Sequence, residues 1–240
     1  FLTLLSSALL AEPAVLSEKA ARYHSLLLKR PKPGAIYERF ASAWLEQGDI
    51  TSLRTFLEGR ANSAEGTTAD RLVLGFFLSQ QSEHDAAVAV FAKALDADPG
   101  NGDAWLLRAQ AESRVGKHED ALKSLGRISD GKGETATDAA KLKARLLART
   151  GKTDEALEVL KALANANLQD EDLQDEVVEV QLDEGLPGEA ITSLKALLER
   201  TQDPYQRVLR RLRLGDILKR SDRRDDALAA YSHSASVGRR

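Results

Sequence analysis

Three groups of residues in this 240-residue chain invite a chemical reading. Gly126, with Gly131-Lys132 behind it, has the spacing of a loop that cradles phosphates on backbone N–H groups, with a lysine and then a magnesium-binding Ser or Thr. Gly133 stands where the hydroxyl belongs, and Ala121 to Leu125 reads as helix where a strand is required, so no nucleotide site is expected. Gly151-Lys152-Thr153 fails in the same way, with Leu146 in the place of the upstream glycine. His84 and His118 lie 34 residues apart beside Glu83 and Glu119, and stacked turns would bring them together as metal ligands. Read as ordinary exposed turn histidines they need no ligand, and no metal is expected. His24 and His233 stand alone, and no grouping of Ser, His and acid follows from spacing. The carboxylates spread over solvated helix faces, with no pair placed to hold separated pKa values. The expectation is therefore a protein with no catalytic residue and no cofactor.

Composition agrees with that reading. With 30% charged and 42% hydrophobic residues the chain carries enough apolar mass to fold. The absence of Cys excludes a disulfide framework, a thiolate zinc site and a cysteine nucleophile, and leaves the redox compartment open. A net charge of −3 supplies no global attraction to nucleic acid or to an anionic membrane.

The elements that must position any site repeat along the chain. A turn residue, three variable residues, a small or acidic residue, Ala and a branched apolar residue recur as Gly116 to Leu122, Gly151 to Leu157 and Gly185 to Ile191, with weaker copies at Ser82 to Val88 and Asp222 to Leu228. A degenerate copy begins at Gly48 and has Leu53 where Ala is expected. Successive offsets are 34, 34, 35, 34 and 37 residues, a period that signals a repeat architecture. Apolar residues at helical spacing flank each turn, as in Leu74, Phe77 and Leu78 before and Ala87, Phe91, Ala94 and Leu95 after. The turn residue can end the first helix in the left-handed conformation, and the acidic residues behind it suit the start of the second. Ala121, Ala156, Ala190 and Ala227 sit where a larger side chain would hold the two helices apart.

This pattern resembles the tetratricopeptide repeat family. The best copy has Leu74-Gly75, Leu78, Ala87, Phe91, Ala94 and Asp98-Pro99-Gly100-Asn101, and the last has Leu214-Gly215-Asp216, Ala227 and Tyr231. Arg108-Ala109 departs from the usual Leu-Gly, although Trp105 stands at the family's aromatic start. The resemblance implies an all-α, right-handed superhelical α-solenoid of six to seven helix-turn-helix repeats. Its first helices would line a concave groove that binds proteins or peptides, and nearest-neighbour packing would hold it together. We place repeats at about 34–67, 68–101, 102–136, 137–170, 171–207 and 208–240, after an N-terminal segment 1–33 that holds an apolar stretch and one helix of a degenerate half-repeat.

Two features of the first helices nominate groove residues. Lys141, Arg145 and Arg149 lie 34 residues before Asp175, Glu179 and Asp183, so opposite charges should face each other rung by rung, with Arg220 as an extension. One reading is an inter-repeat ladder of structural ion pairs; the other is a charged groove for a peptide of mixed charge. Leu45, Leu72, Phe76 and Leu106 fall at places that, by the resemblance, point into the groove, and adjacent Phe76 and Phe77 diverge by about 100°, so both should not reach the core. Such a patch marks a partner site, unless residues 14–30 fold over it. The family's clamp for chaperone-tail carboxylates is not expected, because its Asn places hold Ser42, Phe76, Gln110, Arg145, Glu179 and Asp216.

The ends leave alternatives open. Residues 1–11 hold eight apolar residues and no charge, too few to span a bilayer. They read either as the remnant of a secretory signal, which implies an exported or periplasmic protein, or as a helix of the opening repeat in a cytoplasmic one. The missing Met and the lack of a polar capping helix are read as marks of a piece of a longer bacterial-type protein. The leading expectation is a non-catalytic scaffold that binds a protein or peptide in its groove. The alternatives are a spacer or regulatory arm of a larger enzyme or membrane-anchored protein, and an RNA-contacting solenoid. The last would use the ten Lys or Arg of 205–240, a stretch without the interleaved aromatics that base stacking needs.

Overall fold

The computed structural model describes residues 16–128 and 133–237, with side chains described through residue 232. All regular structure among the described residues is helical. The helices are α1 (Glu18–Lys29), α2 (Ala35–Leu45), α3 (Ile50–Asn62), α4 (Thr68–Gln80), α5 (His84–Ala97), α6 (Gly102–Arg114), α7 (His118–Leu125), α8 (Glu134–Arg149), α9 (Thr153–Ala166), α10 (Glu171–Asp183), α11 (Pro187–Arg200), α12 (Pro204–Arg220) and α13 (Arg224–Val237). None is long and apolar enough to cross a membrane. The chain divides into two compact units at Ser129 and Asp130, a division that the repeat period does not reveal.

The hairpins form for reasons that can be followed residue by residue. Ser82, Gly116, Gly151, Gly185 and Asp222 all take positive φ, between 57° and 79°. At each, the following residue's N–H reaches back to the last turn of the first helix: Glu83 to Leu78, Lys117 to Glu112, Lys152 to Leu147, Leu186 to Gln181 and Arg223 to Leu218, over 2.7 to 2.9 Å. Orphan carbonyls are thereby satisfied and the chain is turned straight into the second helix. The second helices α5, α7, α9 and α11 accordingly begin without a side-chain cap. First helices α4, α6, α10 and α12, which follow longer connections, are capped by Thr67, Asn101, Asp170 and Asp203. Within a hairpin the helices approach closely at Gly75, where a Cβ would lie 2.2 Å from the Phe91 ring, and at Gly215, where it would lie 2.3 Å from Tyr231.

The N-terminal unit departs from this regularity at its start. Gly48 does not take positive φ. A Cβ there would lie 2.9 Å from Trp44 Nε1, which donates a 3.0 Å hydrogen bond to Ser52 Oγ. Helix α1 packs against α2, and α1 also reaches α4. The core of this unit gathers Leu27, Tyr37, Phe40, Leu57, Leu72, Phe76, Phe77 and Phe91. The C-terminal unit has its own core around Val178, Ile191, Leu194, Leu197, Leu214 and Leu218.

Candidate interaction surface

In the C-terminal unit, equal spacing from equivalent turns places Asp138, Lys141 and Arg145 of α8, Asp172, Asp175 and Glu179 of α10, and Leu209, Leu212 and Asp216 of α12 at matching places on successive first helices. Opposite charges do meet across these helices, but not in the rungs expected from a 34-residue offset. Lys141 Nζ lies 2.8 Å from Glu176, not on Asp175, and 2.9 Å from Asp138 of its own helix. Arg145 reaches Asp183 at 3.9 Å. Asp175 and Glu179 turn the other way, to α12, where Arg213 lies 3.5 Å from Asp175 and 2.6 Å from Glu179. Arg149 and Arg220 make no ion pair among the described residues. Long side chains bridge helices on the diagonal, and α12 follows α10 at an offset of 37 residues where α10 follows α8 at 34. Partial burial works against the Lys141 charge, but hydrogen bonds to Glu176 and Asp138 outweigh it and hold its pKa above the ordinary lysine value.

Below this face lies a residue that sequence reasoning missed as a buried group. Arg210 is 4% exposed and binds Asp175, Glu171 and the Thr201 hydroxyl, which accepts from its Nη1 at 2.7 Å. Thr201 Oγ1 in turn donates to the Leu197 carbonyl at 2.8 Å. A planar guanidinium with several donors can satisfy three acceptors at once, which a lysine cannot. The available signal was that Arg210 falls in line with Leu214 and Ile217, on the apolar face of its own helix.

A second missed feature is apolar and open to solvent. Tyr205, Leu209 and Leu212, at i, i+4 and i+7 of α12, are 68%, 42% and 40% exposed. They form a stripe on the side of α12 away from buried Leu214, Ile217 and Leu218. Beside the start of α10, Gln169, Asp170, Glu171 and Asp172 line a shallow depression.

In the N-terminal unit the expected apolar patch is not an open surface. Leu72, Phe76 and Leu106 are buried, and of the four nominated residues only Leu45 is exposed, at 47%. Tyr37 of α2 stands edge-on to Phe76 with ring centroids 6.0 Å apart, and Leu27 of α1 joins the same core. Phe76 and Phe77 are both buried, against the expectation that one would face solvent, because α4 has neighbours on more than one side: α3, α5 and α1.

The remaining chemical candidates resolve simply. His84 and His118 begin α5 and α7. Among the described residues no group of three or more His, Cys, Asp or Glu side chains is placed to hold a metal. Gly126 follows helix α7, while Gly131 and Lys132 lie outside the described residues, as do residues 1–11 and the final three. His24 is buried, its ring 5.1 Å from that of Phe40 and 5.2 Å from that of Phe56, and its Nε2 has no hydrogen-bond partner among the described residues.

Comparison with known proteins agrees with this architecture. The family model of the tetratricopeptide repeat matches residues 78–146. No curated protein matches the sequence. Among solved structures, the APC/C hetero-tetramer Cut9-Hcn1 is similar at 18% identity over 91% of this chain, with a TM-score of 0.51; the chain spans 42% of that protein's length. A tetratricopeptide repeat protein from Parabacteroides merdae is 13% identical over 91% of this chain and 85% of its own, with a TM-score of 0.54. YrrB, described as a tetratricopeptide repeat protein with an unusual peptide-binding site, is 18% identical over 75% of this chain and 91% of its own, with a TM-score of 0.50. At these identities the likeness is one of fold.

Proposed function

We propose that this all-helical chain, whose residues 78–146 match the tetratricopeptide repeat family and whose fold is similar to that of tetratricopeptide repeat structures, is a non-catalytic interaction scaffold whose partner-binding surface is the first-helix face of the C-terminal unit. The observation that carries this reading is the exposed stripe of Tyr205, Leu209 and Leu212, continuous in register with the charged rows of α8 and α10. Exposed apolar side chains in a row on an otherwise charged helix face are a recurring mark of a partner site. The nominated Lys141, Arg145, Asp175, Glu179 and Asp183 belong to this surface in this reading; all are paired, with Arg145, Glu179 and Asp183 about half exposed or more and Lys141 and Asp175 mostly buried. Leu72, Phe76 and Leu106, being buried, serve packing in this reading and not contact.

The test is site-specific photo-cross-linking in the full chain. A benzophenone side chain at position 179 of α10 should capture a protein or peptide that the same side chain at position 158, on the exposed side of α9, does not. Equal capture at both positions, or none at 179, contradicts the assignment.

A further inference from the structure

Resting on that reading, we propose that the partner segment is amphipathic and basic, with an apolar edge that packs on Tyr205, Leu209 and Leu212 and with Lys or Arg side chains that meet the carboxylates of α10. Helix α12 has two apolar faces. One is spent on the core through Leu214, Ile217 and Leu218. The other is partly open to solvent, and its Leu209 and Leu212 match the places of Asp172 and Asp175 on α10 at a constant offset of 37 residues, the offset between the turn residues Gly185 and Asp222. A ligand lying across this face therefore touches leucines on α12 and carboxylates on α10 together.

The charges beside the stripe decide the sign of the ligand. Helix α10 carries Glu171, Asp172, Asp175, Glu176, Glu179 and Asp183 and no cation of its own. The cations that reach it are already committed: Arg210 is buried on Glu171 and Asp175, Arg213 is shared between Asp175 and Glu179, Lys141 between Glu176 and Asp138, and Arg145 stands off at 3.9 Å from Asp183. Asp172 has no ion pair among the described residues. Glu176, Glu179 and Asp183 remain more than half exposed at their side chains. Of the remaining cations of α12, Arg207 and Arg211 fall by helical spacing on the flank away from the stripe, and Lys219 and Arg220 lie at the far end of the helix, so the carboxylates of α10 are the charges nearest in register to the leucines. A lysine or arginine placed here gains an unmatched carboxylate, whereas an acidic residue would have to displace an existing pair.

Fluorescence anisotropy on the full chain tests the proposal with three labelled peptides. The first has leucines at i, i+4 and i+7 and lysines elsewhere, the second replaces the lysines by glutamates, and the third replaces the leucines by serines. The first should bind, more weakly as salt rises, and at least about tenfold more tightly than either of the others. Leu209→Asp and Leu212→Asp, both at exposed places, should abolish its binding with the helical circular dichroism unchanged, and Asp172→Lys should weaken it. Equal or tighter binding of the glutamate or serine peptide, binding that survives Leu212→Asp, or binding of none overturns the proposal. Capture from position 179 separates the two claims: a cross-linked partner together with a silent lysine peptide removes the basic amphipathic segment and leaves the interaction surface standing.

Discussion

Arg210 of α12 and Asp175 of α10, 35 residues apart, form a buried clasp between two successive first helices. Glu171 and Thr201 complete it, so the guanidinium is hydrogen-bonded on several sides while shielded from water. Arg210→Ala should destabilise the C-terminal unit by about 2–3 kcal/mol, because it leaves the buried Thr201 hydroxyl and two carboxylates short of a charged donor, while Glu171 and Asp175 keep some access to water. Arg210→Lys should recover only part of the loss, since an ammonium cannot span all three acceptors. Urea denaturation followed by circular dichroism checks both values; a loss below about 0.5 kcal/mol for the alanine variant would reduce the clasp to an ordinary surface pair.

Gly75 and Gly215 occupy the same place in their hairpins but should respond differently to a methyl group. At Gly75 the ring that a Cβ would meet, Phe91, is fully buried and cannot swing away. Gly75→Ala should therefore cost about 2–3 kcal/mol through overpacking, in spite of alanine's better helix propensity. Tyr231, facing Gly215, is only partly buried, and its hydroxyl donates to Asp216 at 2.7 Å. Gly215→Ala should cost less, and the difference between the two melting temperatures measures it.

The repeat turns hold two residues other than glycine in the left-handed region, Ser82 at φ 62° and Asp222 at φ 57°. An L side chain there costs about 1–2 kcal/mol of local strain, and glycine returns part of that as chain entropy. Ser82→Gly and Asp222→Gly should each stabilise by about 0.5–1 kcal/mol. Thermal denaturation that shows either variant less stable than the parent would contradict the turn geometry.

His24 makes the N-terminal unit sensitive to acid. Burial lowers its pKa below the ordinary 6.5; the Asp70 carboxylate works against that shift and Arg60 works with it. The unfolded chain then binds the proton more readily than the folded one. The stability that neutral His24 contributes is fully present above its unfolded pKa and is lost as the pH falls below it, with a slope of up to about 1.4 kcal/mol per pH unit. Urea midpoints measured from slightly alkaline to mildly acidic pH should fall for the parent. They should fall less for His24→Leu, and a parallel decline in the two would place the acid sensitivity elsewhere.

The regular part of this architecture was legible because it is dictated locally. The offsets of Gly116, Gly151 and Gly185, with Ala121, Ala156 and Ala190 five residues behind each, specify a left-handed turn followed by a close helix contact, and neither depends on distant residues. Ser82 and Asp222 were found by register alone, although their residue types disfavour the conformation they adopt. The burial of Leu72 and Phe76 was not legible, because it depends on how α1 and α2, which precede the irregular turn at Gly48, pack on α4 and its neighbours, and that packing has no repeat partner to predict it. Ion-pair partners escaped for another reason. A 34-residue offset identifies matching backbone places, whereas the side chains of Lys141 and Arg213 reach a neighbouring position, and the three extra residues between Gly185 and Asp222 move α12 out of step. The stripe of Tyr205, Leu209 and Leu212 was present as an i, i+4, i+7 pattern, but it lay hidden within a stretch whose most conspicuous property is its arginines.

The central claim, that the first-helix face of the C-terminal unit binds a partner and does more than hold repeats together, is tested most directly at Glu179. Its pair with Arg213 is 60% exposed on the Glu179 side, so Glu179→Lys should cost about 1 kcal/mol or less and shift Tm by no more than about 2–4 °C. Measured side by side with Tm, the affinity for the partner captured from that position should fall at least about tenfold. Unchanged affinity, or a loss of binding that only accompanies a large fall in Tm, would show that the charged rows serve the fold alone.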